Sequence, residues 1–100
     1  MVKHIILWKL REDLSEEQKS EIKKSIKAGL EGLNGKIEGT IDIKVNINGL
    51  PTSNVDVMLD SSFVDYDALK VYASHPDHLA VANGIIRPVT AQRCCLDFEE

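Results

Sequence analysis

Ile41-Asp42-Ile43-Lys44-Val45-Asn46-Ile47-Asn48 alternates apolar and polar residues without a break. A strand turns successive side chains to opposite faces, so this stretch reads as a β-strand with one buried and one polar face. Asn48-Gly49-Leu50-Pro51 interrupts it. Val55, Val57, Leu59 and Phe63 then resume the pattern against Asp56, Met58 and Asp60. The span between the two strands is short enough for an antiparallel hairpin.

Toward the N-terminus the period changes. Ile22, Ile26, Leu30 and Leu33 recur at helical spacing. Ser15 stands three residues before Gln18, with acids in the first turn, which is the pattern of a capping box. Asn34-Gly35 reads as the stop, with Gly35 free to take a left-handed cap. Lys19, Lys23, Lys24 and Lys27 lie off the apolar stripe and read as a solvated face. Before this helix, Val2-Lys3-His4-Ile5-Ile6-Leu7-Trp8-Lys9-Leu10 is nearly continuously apolar and reads as a central strand. His4, Ile6, Trp8 and Leu10 share one of its faces.

Toward the C-terminus, Asp65 can cap a short helix carrying Ala68, Leu69, Val71 and Tyr72. Pro76 ends that helix, because the residue before a proline is pushed out of the helical region. Pro76 also suits the first position of a second helix, running to about Asn83-Gly84. The stretch from Val89 to Phe98 reads as a last strand. The order is strand, helix, strand, strand, helix pair, strand. That is the split βαβ pattern of a ferredoxin-like α+β sandwich with a four-stranded antiparallel sheet.

One hundred residues form one domain, here 1–100. Twelve basic against sixteen acidic residues give a net charge of −4. Nucleic-acid binding rests on clustered positive charge, so no nucleic acid is expected as a partner. No apolar run approaches the ~20 residues of a membrane helix, and no signal-peptide pattern opens the chain, so a cytoplasmic protein without a membrane partner is expected. Cys94 and Cys95 are adjacent, which makes no disulfide framework and no metal-ligand spacing. They read as small hydrophobes in a reducing compartment.

Three segments carry a resemblance over essentially the whole chain: the opening Val2–Leu10 strand, Tyr72-Ala-Ser-His75-Pro76-Asp-His78, and Arg93-Cys-Cys-Leu-Asp97-Phe98. Together they resemble the stress-responsive A/B-barrel (Dabb) family. The resemblance implies a homodimer in which two ferredoxin-like sheets form an α+β barrel with helices outside. It places Asp42, Lys44, Asp56 and Asp60 in or near the barrel interior, beside Ile5, Leu7 and Met58. Plant polyketide cyclases of that family are similar to this chain at Tyr72 and His78, a pair used there for aldol-type cyclisation. His4 matches a pocket-lining histidine. The first helix departs from them: it offers Ile22, Ile26 and Leu30 where the cyclases carry aromatic residues, which puts an aromatic polyketide substrate in doubt.

Chemistry gives the same residues roles. An imidazole at His78 can take an α-proton while the Tyr72 phenol donates to the developing enolate oxygen, with no cofactor and no metal. His4, Ile6, Trp8 and Leu59 are expected to line the pocket for a small organic molecule. Arg93 is read as pairing with an acid such as Asp97, with an anionic ligand as the alternative. Two readings stay open. One is a small-molecule-binding protein with cofactor-independent, cyclase-like lyase or isomerase chemistry. The other is a non-catalytic dimeric stress protein in which the Tyr-x-x-His-Pro-x-His element only fixes a helix break. The first expects a cavity touching both Tyr72 and His78; the second expects both side chains packed and bonded to backbone, with no void.

Overall fold

The computed structural model describes all 100 residues. Its elements are β1 (Val2–Leu10), α1 (Glu16–Glu31), β2 (Thr40–Asn46), β3 (Val57–Phe63), α2 (Tyr66–Ser74), α3 (Pro76–Val81) and β4 (Thr90–Glu99). The strands form one sheet in the order β2-β3-β1-β4, and every neighbouring pair is antiparallel. This is the ferredoxin-like α+β fold expected from the order of elements. No helix is long and apolar enough to cross a membrane.

The helices cover one face of the sheet. Val2, His4, Ile6, Trp8 and Leu10 all point into the covered side and are buried. They meet Val57, Leu59 and Phe63 from β3, Ile43 and Val45 from β2, and Ile26 and Leu30 from α1. Ser61 is buried beside His4 on this face, and its hydroxyl donates to the His4 carbonyl at 2.8 Å.

The alternation in β2 holds for Ile43 and Val45, but not for Ile41. The register against β3 slips between Thr40 and Asp42, so Ile41 is the extra residue of a bulge and stands exposed. A bulge moves every later side chain by one position relative to the partner strand. A second slip lies in β4, where Lys9 faces Gln92 but Leu10 faces Thr90, leaving Ala91 extra.

α1 begins as its sequence indicates. The Ser15 hydroxyl accepts the Gln18 backbone N–H, and the Gln18 side chain accepts the Ser15 N–H. It ends three residues before the expected Asn34-Gly35 stop, with Gly32 still right-handed at the cap. Gly35 does take a positive φ of 77°, but in the turn beyond. Asn34 has another task. Its side-chain amide donates to the Ile43 carbonyl and accepts the Ile43 N–H, both at 2.8 Å. Two residues along β2, Lys27 donates to the Val45 carbonyl at 2.6 Å and Glu31 accepts the Val45 N–H at 2.9 Å. Lys27 and Glu31 also pair with each other, and this hydrogen bond, helped by the one from Val45, holds the Glu31 carboxyl below its usual pKa. β2 is an edge strand, and an edge strand offers unpaired backbone groups to any passing strand. Here α1 and its following turn occupy them.

Asp56 is not among the polar groups of the open face. Its backbone N–H donates to the Trp8 carbonyl and its carboxylate accepts the Leu10 N–H, so it fastens the end of β1.

Asn34→Ala removes both hydrogen bonds to Ile43. Urea unfolding is expected to show a loss of about 1–3 kcal/mol, the cost of leaving half-buried backbone groups without partners. Unchanged stability would show that water replaces the side chain without loss.

Candidate functional site

The Tyr72–His78 segment folds as two short helices meeting at a corner. The Asp65 carboxylate accepts the Ala68 N–H and starts α2. His75 is extended at the corner, and its Nδ1 accepts the Asp77 N–H at 3.1 Å, capping α3. Pro76 follows at the first helical position, where it lacks only an N–H that would have no partner. α3 does not stop at Asn83-Gly84. A π-helical turn, Ala82–Ile86, continues it and leads into a 3₁₀ turn, Arg87–Val89. π-helical turns are rare and recur at functional sites.

Between these turns and the sheet lies a cavity of about 430 Å³. That is within the range of small-molecule sites. Ile6 and Trp8 of β1 and Leu59 of β3 form its floor, and Leu30, Leu79, Ala82 and Ile86 come from the helical side. The polar lining is His78, Arg87, Thr90 and Arg93, with no carboxylate among the wall residues. Thr90 and Arg93 are three apart, yet both reach this side. The Ala91 bulge makes that possible: Thr90 faces Leu10 and Arg93 faces Trp8, both core-side residues.

Four of the six expected site residues, Ile6, Trp8, Leu59 and His78, therefore line one cavity. Tyr72 and His4 stand behind the wall. Tyr72 is fully buried, its ring 4.4 Å from the His78 ring, 5.0 Å from Phe63 and 6.3 Å from His4, between centroids. Its hydroxyl is buried and has no hydrogen-bond partner, which burial converts into a phenol pKa well above the usual range. The arrangement thus fits neither expected extreme. The cavity touches His78 without Tyr72, and the Tyr72 hydroxyl is bonded to nothing.

His78 is the chemically poised group. Its Nδ1 lies 3.1 Å from the Ala73 carbonyl, which can only accept. Nδ1 therefore carries the proton, and the neutral ring keeps its lone pair on Nε2. Burial lowers the pKa of this imidazole; the Ala73 carbonyl opposes the effect, and the charges of His4, Arg93 and His75 add to it. The α2–α3 corner thus uses one nitrogen of each histidine for backbone, and leaves the second nitrogen of His78 uncommitted.

Arg93 does not pair with Asp97. No carboxylate lies within ion-pair distance of Arg93 or Arg87. Asp97 is held instead by His4, whose Nδ1 makes a short hydrogen bond to the carboxylate. Thr90, Arg87 and the His4–Asp97 contact were beyond sequence reasoning. The first depends on a bulge, the second on a 3₁₀ turn, and the third on a pairing register across 93 residues.

The profile of the stress responsive A/B barrel domain matches residues 2–100. Among solved structures, a dimeric protein of unknown function with a ferredoxin-like fold from Bacteroides fragilis is 37% identical, with a TM-score of 0.92. The match covers 99% of this chain and 95% of that one. A Dabb family protein with a ferredoxin-like fold from Mesorhizobium loti is 17% identical over 99% and 95%, with a TM-score of 0.75. A hydroxynitrile lyase from Passiflora edulis shares the fold at 17% identity over 97% and 90%, with a TM-score of 0.71. No curated protein sequence matches the chain. The full-length profile match and the 37% identical Bacteroides relative place this chain in the stress responsive A/B barrel (Dabb) domain family.

Proposed function

We propose that this chain is a homodimer that binds an apolar, anion-bearing organic molecule and uses His78 as a base on it. The observation that carries the reading is the cavity itself. Its apolar walls hold one neutral imidazole with a free Nε2 and two arginines without carboxylate partners. Apolar walls select the body of a ligand, and an unpaired guanidinium fixes a carboxylate or similar anion by two parallel hydrogen bonds. Trp8 is the one aromatic carbocycle in the lining, so a large aromatic polyketide is not the ligand this wall favours.

The chemistry follows from the placement. For a ligand with hydrogen on a carbon next to a carbonyl, that C–H bond breaks and the proton moves to His78 Nε2. The electron pair shifts to the carbonyl oxygen, giving an enolate. The Arg93 guanidinium is a donor of the cavity wall available to that oxygen; the Tyr72 hydroxyl, buried behind the wall, is not.

The second copy covers the open face of the sheet. Leu96 and Phe98 are exposed there, with Ile5, Leu7 and Met58 half-buried beside them. The Bacteroides relative is dimeric, and such an apolar surface needs an occupant. The open face also holds Lys3 bonded to Asp60 at 2.5 Å and to Ser62 at 2.9 Å, so its central charges are already paired. Light scattering is expected to read twice the 11.1 kDa chain mass. Leu96→Asp is expected to give the single-chain mass, and a variant that stays dimeric would move the interface elsewhere.

Phenylpyruvate is a suitable probe, being apolar, anionic and enolisable. Its α-hydrogens are expected to exchange in D₂O with the protein, followed by NMR. His78→Gln should slow the exchange at least about 100-fold, the usual scale for a lost general base. Arg93→Gln should weaken binding about tenfold, and the neutral relative phenylacetone should bind no better to the native protein than phenylpyruvate does to that variant. Exchange untouched by His78→Gln would remove the base from its role.

Two stability measurements test the environment of the pair. Tyr72→Phe is expected to leave stability unchanged or raise it by about 1–2 kcal/mol, since the deleted hydroxyl has no partner. A clear loss would show that the hydroxyl has a structural bond. For His78, the folded pKa lies below the unfolded value of about 6.5. Its contribution is therefore complete above that value and is lost as pH falls through the window below it. His78→Gln should flatten this part of the stability–pH curve.

A further inference from the structure

β4 carries a second group of side chains that the cavity does not use. Its register against β1 sets Asp97 opposite His4 and Cys95 opposite Ile6. His4 and Ile6 point to the covered face, so Cys95 and Asp97 do as well. Three donor atoms of different chemistry converge there: His4 Nδ1, Cys95 Sγ and an Asp97 carboxylate oxygen, all within 4.8 Å of one another. The sulfur lies 3.8 Å from the nitrogen and 3.5 Å from the oxygen.

These spacings can be compared with a coordination sphere. With Zn–S near 2.3 Å and Zn–N or Zn–O near 2.0–2.1 Å, tetrahedral angles put neighbouring ligand atoms roughly 3.3–3.6 Å apart. The two sulfur distances match within a few tenths of an ångström. Only the nitrogen–oxygen pair, now hydrogen-bonded, must open, and an ion entering between them replaces that bond with two stronger ones. His4 is buried and fixed in the sheet centre, whereas Cys95 and Asp97 lie on an edge strand that is exposed. An ion can therefore reach the group from the solvent side, and a fourth position remains for water.

We propose that His4, Cys95 and Asp97 form a binding site for a single divalent transition-metal ion of the zinc type. Mixed nitrogen, sulfur and oxygen donors suit zinc and cobalt(II), and the thiolate disfavours magnesium and calcium. Loading breaks the Cys95 S–H bond, with the proton leaving to buffer, and forms the S–metal bond. The proton that His4 Nδ1 shares with Asp97 moves to Nε2, so the neutral imidazole binds through Nδ1. No oxidation state changes. None of the three donors lines the cavity, although Arg93 of its wall lies beside Cys95; cobalt spectra read the site without reference to the reaction proposed for His78.

Cobalt(II) alone is the probe, added to the reduced, metal-free protein. A thiolate-to-cobalt charge-transfer band in the near ultraviolet and visible d–d bands of tetrahedral strength are expected at one equivalent. Zinc should abolish both by displacement and should raise the thermal midpoint by mass action. Cys95→Ser should lose the charge-transfer band. Cys94→Ser should keep it, because Cys94 faces the other side of the sheet opposite Leu7. Asp97→Asn should weaken cobalt binding at least about tenfold. No charge-transfer band, or one that survives Cys95→Ser or vanishes in Cys94→Ser, would overturn the site. So would a zinc-dependent rise in midpoint that is equal in Cys95→Ser and the native chain, since the ion would then sit elsewhere.

Discussion

Each strand turns its side chains over every second residue, and β1 at the sheet centre imposes that period on its neighbours. One face of β1 is spent on the core: Val2, His4, Ile6, Trp8 and Leu10 are all buried. Whatever pairs with those five positions is delivered to the helix side. Leu59 and Ser61 arrive there from β3, and Arg93, Cys95 and Asp97 from β4. Shifting β4 by one residue would send the arginine, the thiol and the carboxylate to the open face and bring Cys94 and Leu96 inward. The cavity wall and the three-donor group are thus two products of one register.

The helices supply what the sheet cannot. A single straight helix over β1 and β4 would pack against the floor and leave little room. The chain instead breaks at Pro76, widens to a π-helical turn at Ala82–Ile86, and tightens to a 3₁₀ turn before β4. His75 and His78 each give one ring nitrogen to the backbone near the break. The corner therefore needs its histidines for shape, and the same bond that holds His78 assigns its proton and frees Nε2. A structural role at this residue does not exclude a chemical one. The polar lining has no negative charge to neutralise Arg87 or Arg93, so the field in the cavity favours anions and the neutral form of the imidazole.

Much of the fold is visible in local chemistry. The alternation from Ile43 to Val45, the Ser15–Gln18 capping box, the Asp65 cap and the Pro76 break are all short-range, and each does in the structure what its residues imply. His78, Ile6, Trp8 and Leu59 group together from sequence because alternation fixes the two strands and Pro76 fixes the corner. What was not legible depends on partners distant in sequence. Ile41 looks like a core residue until the register with β3 slips beside it. Thr90 and Arg93 look like opposite faces until Ala91 bulges. Asp97 is as good a partner for Arg93 as for His4 by spacing, and only the pairing of the strands chooses His4. Asn34 looks like a helix stop, a role many asparagines fill, and nothing local shows that its amide spans to Ile43.

That amide, with Lys27 and Glu31, makes α1 act as a counterfeit fifth strand beside β2. The sheet is thereby given a polarity across its width, with one margin sealed and the margin at β4 open. A sheet of this kind can accept at most one further strand-to-strand junction. Two copies packed through the open faces of their sheets would keep the β2 margin of each sealed, so strands could not be added there. The side chains of α1 thus block strand addition at one margin of the sheet, from a position away from the face where two copies would meet.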